Sequence, residues 1–294
     1  MRLVIPFTAG GSNDIVGRIL PEGMSARLGQ PIVIENRGGA GGILGNDFVA
    51  KADPDGHTIL LAGSGSFVIS SLVHARVPYV VANGFTPIGC LGAAPNAIAV
   101  SPRVPVRSLS ELRDFARGLN PPLTFGTPGA GTTAHALGAM IGLTLGFEVD
   151  MIHYRGTAPA LTDVVAGRVQ MISNAAAPFL PFLAAGSLRA IAIAGRQRAS
   201  ILPELSTSFE QGFTEIDSAT WYGLLAPAGT PAEPIARLHA AMNATLEDSA
   251  VRARLIENGV EVETSSIPGD FGRFLTTERE RWGVIVRRAN LRTD

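Results

Sequence analysis

Charge and cysteine are both scarce in this chain. One cysteine, Cys90, stands among 294 residues. No disulfide can close within the chain, and a cysteine-based metal cluster is excluded. Charged residues make up 17% and hydrophobic residues 46%, a balance that excludes the highly charged disordered class and supports large buried cores. The 24 basic and 25 acidic side chains leave a formal net charge of -1. There is no basic excess of the kind a nucleic-acid partner requires, although one small anion needs only a local site. Residues 77–102, 118–147 and 169–188 contain no Asp, Glu, Lys or Arg. A membrane span needs about 20 consecutive apolar residues. Pro95, Pro121, Pro122, Asn174, Pro178 and Pro181 interrupt these stretches, so they are predicted to be buried parallel strands with neutral loops, without membrane insertion. No signal-peptide pattern is read at Met1-Arg2-Leu3-Val4-Ile5, which fits either a mature exported form or an intracellular protein.

What is present is an alternation of short apolar strands with amphipathic helices. A strand at residues 2–6 leads through Thr8-Ala9-Gly10-Gly11 to a helix predicted to be capped by Ser12 and to run to Gly29, with Asp14 favoured in its first turn by the helix dipole. Strand–glycine turn–helix units follow. Strands are predicted at 32–34, 57–62, 123–125, 149–154, 169–172 and 188–194, with helices at 43–52, 133–145 and 159–166 and a capping box at Ser108 and Glu111. From Pro231 onward the chain reads as charged outer helices. Such alternation predicts an α/β architecture, and a length near the ceiling of about 250–300 residues for one core predicts two units.

Three turns ahead of helices are small and polar: Ala9-Gly10-Gly11-Ser12-Asn13-Asp14, Gly63-Ser64-Gly65-Ser66, and Gly126-Thr127-Pro128-Gly129-Ala130-Gly131-Thr132-Thr133. In parallel sheets such turns lie beyond the carboxyl ends of the strands, where ligands bind. Free N–H groups at helix starts attract anions, and glycine permits close approach. The third turn has phosphate-loop spacing, but Thr132 stands where the lysine must be. A G-x-S-x-G elbow, an H-E-x-x-H pair and a G-x-G-x-x-G run are absent. No catalytic residue, metal or cofactor is therefore expected. His135, just after the Thr132 turn, either faces the crevice or is a structural core histidine. Arg155 either reaches an anion or pairs with an acid such as Asp163.

The order and spacing of several segments resemble the Bug-type receptors of tripartite tricarboxylate transporters. They are Leu3-Val4-Ile5-Pro6-Phe7 with Ala9 to Asp14; Leu28-Gly29-Gln30-Pro31 with Glu35-Asn36-Arg37 and the glycine run 38–42; Ala52-Asp53-Pro54-Asp55-Gly56 with Thr58-Ile59-Leu60-Leu61; Phe85-Thr86-Pro87-Ile88; Tyr154-Arg155-Gly156 with residues 158–163; and Trp221-Tyr222-Gly223 continuing to Pro231. The resemblance spans essentially the whole chain. It implies a class II periplasmic-binding fold: two α/β lobes with mostly parallel sheets and an interlobe cleft, lobe one being residues 1–99 with 226–294 and lobe two 100–225. It implies a periplasmic receptor that captures a small carboxylate by lobe closure for the membrane subunits of a tripartite transporter. The alternatives are a hydrolase or lyase on the same scaffold acting through His135, and a ligand sensor for a signalling partner. The ligand-binding residues so implied are Ala9, Gly10, Gly11, Ser12, Asn13, Asp14, Ser64, Gly65, Ser66, Gly129, Ala130, Gly131, Thr132, Thr133, His135, Ser173 and Asn174, to which Arg155 is added from its position at a strand end. Three departures stand out. Ser173 replaces a frequent aspartate, which predicts a ligand without an ammonium group. His57 replaces the usual aromatic. Residues 80–85 lack the acidic charges of that segment, which alters the surface available to the membrane partner.

Overall fold

The computed structural model describes residues 1–81 and 83–292. Ala82, within the charge-poor segment 80–85, lies outside the described residues. The first half of the chain builds β1 (Arg2–Ile5), α1 (Ser12–Gly17), α2 (Leu20–Leu28), β2 (Val33–Asn36), α3 (Ile43–Ala50), β3 (Thr58–Gly63), a π-helical turn (Ser64–Ile69) and α4 (Ser70–Val73). β1 pairs in parallel with both β2 and β3. The second unit contains α5 (Leu109–Ala116), β5 (Leu123–Thr127), α6 (Thr133–Leu145), β6 (Val149–His153), α7 (Thr157–Val165), β7 (Met171–Ala175), α8 (Leu180–Ala184) and β8 (Arg189–Ile193). There β5 pairs in parallel with β6 and β7.

Two long strands join these halves. β4 (Phe85–Val100) is antiparallel to β9 (Ala219–Pro227) along Phe85 to Pro95; from Asn96 on it is antiparallel to β7 and β8. β9 in turn lies antiparallel to β3. β4 is the first of the charge-free stretches, and its pairing is antiparallel, not parallel as predicted. A strand buried on both faces looks equally apolar in either direction, and nothing in its composition records its partner. The chain finishes with α9 (Ala232–Glu247), α10 (Ser249–Glu257), β10 (Glu261–Val262) and α11 (Pro268–Arg288).

The core has three parts. One packs Leu3, Ile5, Leu20 and Met24 against Leu238, Met242 and Leu246 beneath the first sheet. A second packs Leu161, Val164 and Phe179 against Ile172 and Ile193 in the second half. The third runs through both halves, from Val4 and Leu60 to Phe125, Leu137 and Ile141, and includes Trp282 of α11. The Glu278 carboxylate accepts hydrogen bonds from the indole N–H of both Trp221 and Trp282, each at 3.0 Å, so α11 is fastened to β9.

The helix predicted from Ser12 to Gly29 is broken at Arg18 and Ile19. Pro21 has no N–H to continue the ladder and sits in the first turn of α2, where that donor is not required. Gly11, not Ser12, holds the cap position of α1, without a side-chain cap. Ser108 does cap α5, accepting from Glu111 N–H at 3.2 Å, but Glu111 returns its bond to Arg107 N–H rather than to Ser108.

Candidate functional site

Between the halves lies a narrow cleft, partly open to solvent. One wall is the start of α1 (Gly11, Ser12, Asn13) and the start of the π-helical turn (Gly65, Ser66). The other is the start of α6 (Thr132, Thr133, Ala134) and of α7 (Gly156, Thr157), and Asn174 of β7 and Thr220 of β9 lie between. Each helix follows a strand of a sheet, so helix starts gather at the strand ends and face the gap. The first N–H groups of a helix have no partner within it, and they carry its positive dipole end. No Asp, Glu, Lys, Arg or His is among the lining residues.

Hydrogen bonding sorts the cleft side chains. Thr132 Oγ donates to Gly129 O at 2.7 Å and accepts from His135 N–H, and Thr220 donates to Asn96 Oδ1 at 2.9 Å; both hydroxyls are committed to the fold. Thr157 Oγ1 accepts from Asn174 Nδ2 at 2.7 Å, which leaves its own proton to donate. Asn13 is nine-tenths buried, and its side-chain oxygen has no protein partner. The hydroxyl of Tyr222, fully buried beside Ser12, is pushed up to about 12 by burial and stays protonated.

The two walls touch. The Ser64 and Thr133 hydroxyls are 2.9 Å apart, and Thr8 Oγ1 donates to Arg155 O at 3.4 Å. Two glycines set how close the walls come. A Cβ on Gly65 would stand 2.8 Å from Thr133 N, and one on Gly41, whose φ is +61°, would stand 2.4 Å from Ala130 O; real Cβ atoms do not approach that closely.

Of the residues expected at the site, Gly11, Ser12, Asn13, Gly65, Ser66, Thr132, Thr133 and Asn174 are brought together at the cleft. Gly129, Ala130 and Arg155 line a second cavity beside it. Ala9 and Gly10 are exposed on the rim. Asp14 accepts from Gly10 N–H, Arg18 Nε and Asn36 Nδ2, each at 2.9 Å. Although burial opposes it, these bonds hold its carboxyl below the usual range, so it braces the turn and does not face the cleft. Ser64 and Gly131 sit behind the walls. Asp163 is engaged by Arg168 and by Tyr154 Oη at 2.6 Å, and Arg155 does not pair with it.

His135 is buried behind the α6 start. Its Nδ1 accepts Gly131 N–H at 3.1 Å, and its ring meets His153 edge-on at 4.7 Å. Burial first, then the charges His153 and His74 would carry, push it down to about 4. A neutral imidazole with its lone pair committed to a loop amide is a brace for that loop, and it is not a base aimed at the cleft. Successive strand residues face opposite sides: Asn174 enters the cleft, and Ser173 is fully buried with an unpartnered hydroxyl.

Phe7, Thr8, Ala134, Gly156, Thr157 and Thr220 also line the cleft, outside the residues expected there, as do Gly63 and Pro128, which stood in the turns singled out but not among the expected ligand contacts. A signal for Gly156-Thr157 was available, since it is a glycine and a hydroxyl opening a helix, the same chemistry as the three turns that were singled out.

Residues 16–291 match the sequence profile of the tripartite tricarboxylate transporter family receptor. The chain belongs to that family. Among solved structures, periplasmic binding protein BugD is similar to it at a TM-score of 0.93 with 30% identity, covering 100% of this chain and 98% of BugD. MatC from Rhodopseudomonas palustris with bound malate is similar at 0.91 and 31%, covering 97% and 98%. Rpa4515 of R. palustris with adipate is similar at 0.93 and 32%, covering 99% and 97%. The receptor family accounts for the two α/β units and the cleft between them. Among the described residues, no helix is long and apolar enough to cross a membrane, and no group of His, Cys, Asp and Glu could hold a metal ion.

Proposed function

We propose that this family member is a periplasmic receptor that holds a small organic carboxylate without an ammonium group, closes its two lobes over it, and presents it to the membrane subunits of a tripartite transporter. The observation that carries this reading is the neutral cleft: helix starts from both halves line it, and no charged side chain does. A carboxylate there would receive N–H bonds from Ser12 and Asn13 on one side and Thr133, Ala134 and Thr157 on the other. Charge-assisted bonds contribute about 1.5–3 kcal/mol each, and donors on both walls favour the closed state over the open one, the condition for ligand-driven closure. Malate in MatC and adipate in Rpa4515 support the ligand class.

The case against an ammonium group rests on this cleft rather than on Ser173. No carboxylate lines the cleft to neutralise an ammonium group, and Asp14, next to the lining residue Asn13, is held by Arg18, Gly10 and Asn36. A passive receptor also fits a cleft without a titratable residue to move protons. In this reading residues 1–99 with 226–294 and residues 100–225 are the lobes, and the pairing supports placing both crossings a few residues earlier: β9 from Ala219 pairs with β3 and with β4 up to Pro95, whereas β4 from Asn96 pairs with β7 and β8, a change of partner that favours a flexing point there. The test is calorimetry with malate, adipate, aspartate and glutamate. Binding of the first pair more tightly than the second is expected. Tighter binding of the amino acids, or turnover of any bound acid, contradicts the reading.

A further inference from the structure

Three histidines meet where the halves touch. His74, just after α4 in the first half, lies between Gly41 of its own half and the Ala130–Gly131 turn of the other. A Cβ on Gly41 would stand 3.4 Å from its Nε2, and one on Gly131 would stand 3.3 Å from its Cδ2. Its ring donates a hydrogen bond to the Ala130 backbone. His135 is joined to the same turn by the Gly131 N–H at 3.1 Å, and His153 meets His135 edge-on at 4.7 Å. We propose that these imidazoles form an acid-operated release: uncharged, they let the halves close; protonated, they repel one another across the seam and free the ligand. The proposal rests on the carboxylate-receptor reading of the cleft.

Burial lowers the proton affinity of all three rings, and their mutual charge adds to it: His74 acts on His153, and His153 and His74 both act on His135. For His74 burial outweighs the Ala130 hydrogen bond, which favours the charged ring. Opening withdraws His74 from the turn and from the two rings of the other half. Its burial and the like-charge penalty both fall, so its proton affinity rises toward the ordinary value. A proton thus binds the open state more tightly than the closed one. A ligand held by donors on both walls does the reverse, and the two oppose each other. Ligand affinity is full above about pH 6.5, the ordinary histidine value, and is lost as the pH falls below it.

The surroundings favour this sign. A cavity partly open to solvent brings water to His74 and His153, and its lining among the described residues includes the cation Arg155 and no Asp or Glu. Arg76, two residues beyond His74, is exposed and also positive. Acids on neighbouring elements are engaged elsewhere. Asp47 of α3 binds Lys51 and bears on Tyr79. Glu278 of α11, the helix packed on α4, holds two indoles. Asp163 of α7 is engaged by Arg168 and Tyr154, and Asp150 lies three residues back along β6, on the opposite face from His153.

The experiment is calorimetry of the full chain with malate and with adipate at about pH 7.5 and about pH 5.5, either side of the histidine range, for the wild type, His74→Gln and His153→Gln. Repeating it near pH 6.5 in two buffers of different ionisation enthalpy counts the protons released on binding. Gln at position 74 keeps a donor for Ala130 and cannot take up a proton. Protonation of the ligand itself is common to all three proteins, so the difference between proteins is read. On acidification the wild type is expected to lose roughly threefold to tenfold more affinity than His74→Gln, about tenfold per pH unit being the ceiling for one histidine, and to release more protons on binding. His153→Gln, which removes one neighbouring charge and leaves the seam contact, should fall between. Thermal melting at the higher pH checks the fold, and His153→Gln carries the comparison if His74→Gln melts early. Equal acid losses and equal proton release in the wild type and the variant overturn the release device and leave the receptor reading standing. No binding of either acid by the wild type at the higher pH overturns the carboxylate reading with it.

Discussion

His135 carries the sharpest pH signature in the molecule. In the fold it is held neutral, pushed down to about 4 from an ordinary 6.5, chiefly by burial. The unfolded chain therefore binds a proton that the folded one does not throughout that window. Stability is complete above pH 6.5 and is lost as the pH falls from 6.5 toward 4, by on the order of 3 kcal/mol at about 1.36 kcal/mol per pH unit. His74 and His153, both lowered by burial, act in the same direction. Urea unfolding of the wild type and His135→Gln across this range should show a shallower loss in the variant, since Gln can still accept the Gly131 N–H. Equal slopes would mean that the imidazole is not held neutral. Thr157 makes a second prediction at this scale. Thr157→Val removes a donor to the ligand and the acceptor for Asn174, and carboxylate affinity should fall roughly tenfold or more in calorimetry.

Single residues were the least legible part of the sequence. Hydroxyls and glycines before helices marked turns that the fold brings to the cleft, but which atoms were already committed was hidden. Thr132 and Thr133 are adjacent and alike in composition; the first hydroxyl caps a helix and the second meets the buried Ser64 of the other half. Asp14 was expected at the ligand through the family resemblance of the Ala9–Asp14 turn, and its three bonding partners, two of them four residues away and one 22, could not be seen.

Among the elements, the parallel βα units declared themselves through glycine turns and helical periodicity, and β5, α6, β6 and α7 fall within a few residues of where they were expected. β7 was expected two residues early. β4, expected as a buried parallel strand, is shared by both sheets, and its apolar composition records nothing of its antiparallel partners; β9, which pairs with β3 and β4, was not read as a strand. α11 read only as a charged outer helix, yet its inner face carries the buried Trp282 and Glu278. Glu278→Ala would leave the Trp221 and Trp282 indole N–H groups buried without a partner, at a cost of about 1–3 kcal/mol for each. Chemical denaturation should register a loss in that range or above. A loss below 1 kcal/mol would mean that α11 is not fastened through this carboxylate.

For the whole molecule, closeness of the two halves is set by backbone rather than by side chains. Gly65 and Gly41 abut Thr133 and Ala130 with no room for a Cβ. Gly65→Ala is expected to hold the halves apart, lowering carboxylate affinity roughly tenfold or more while the melting temperature of the unliganded protein changes little. Unchanged affinity would show that the contact is not needed for capture. The two-unit α/β plan was legible from length and alternation, and the family resemblance supplied the cleft. The neutrality of its walls became evident only once the charged side chains were seen to turn elsewhere.

The central claim is that uncharged donors from facing helix starts hold the carboxylate. A crystal structure of the protein with a bound dicarboxylate tests it most directly. One carboxylate is predicted to lie at roughly 2.7–3.2 Å from N–H or hydroxyl groups of Ser12 or Asn13 on one wall and of Thr133, Ala134 or Thr157 on the other. A ligand whose carboxylates contact only one wall, or only charged side chains outside the cleft, would contradict it.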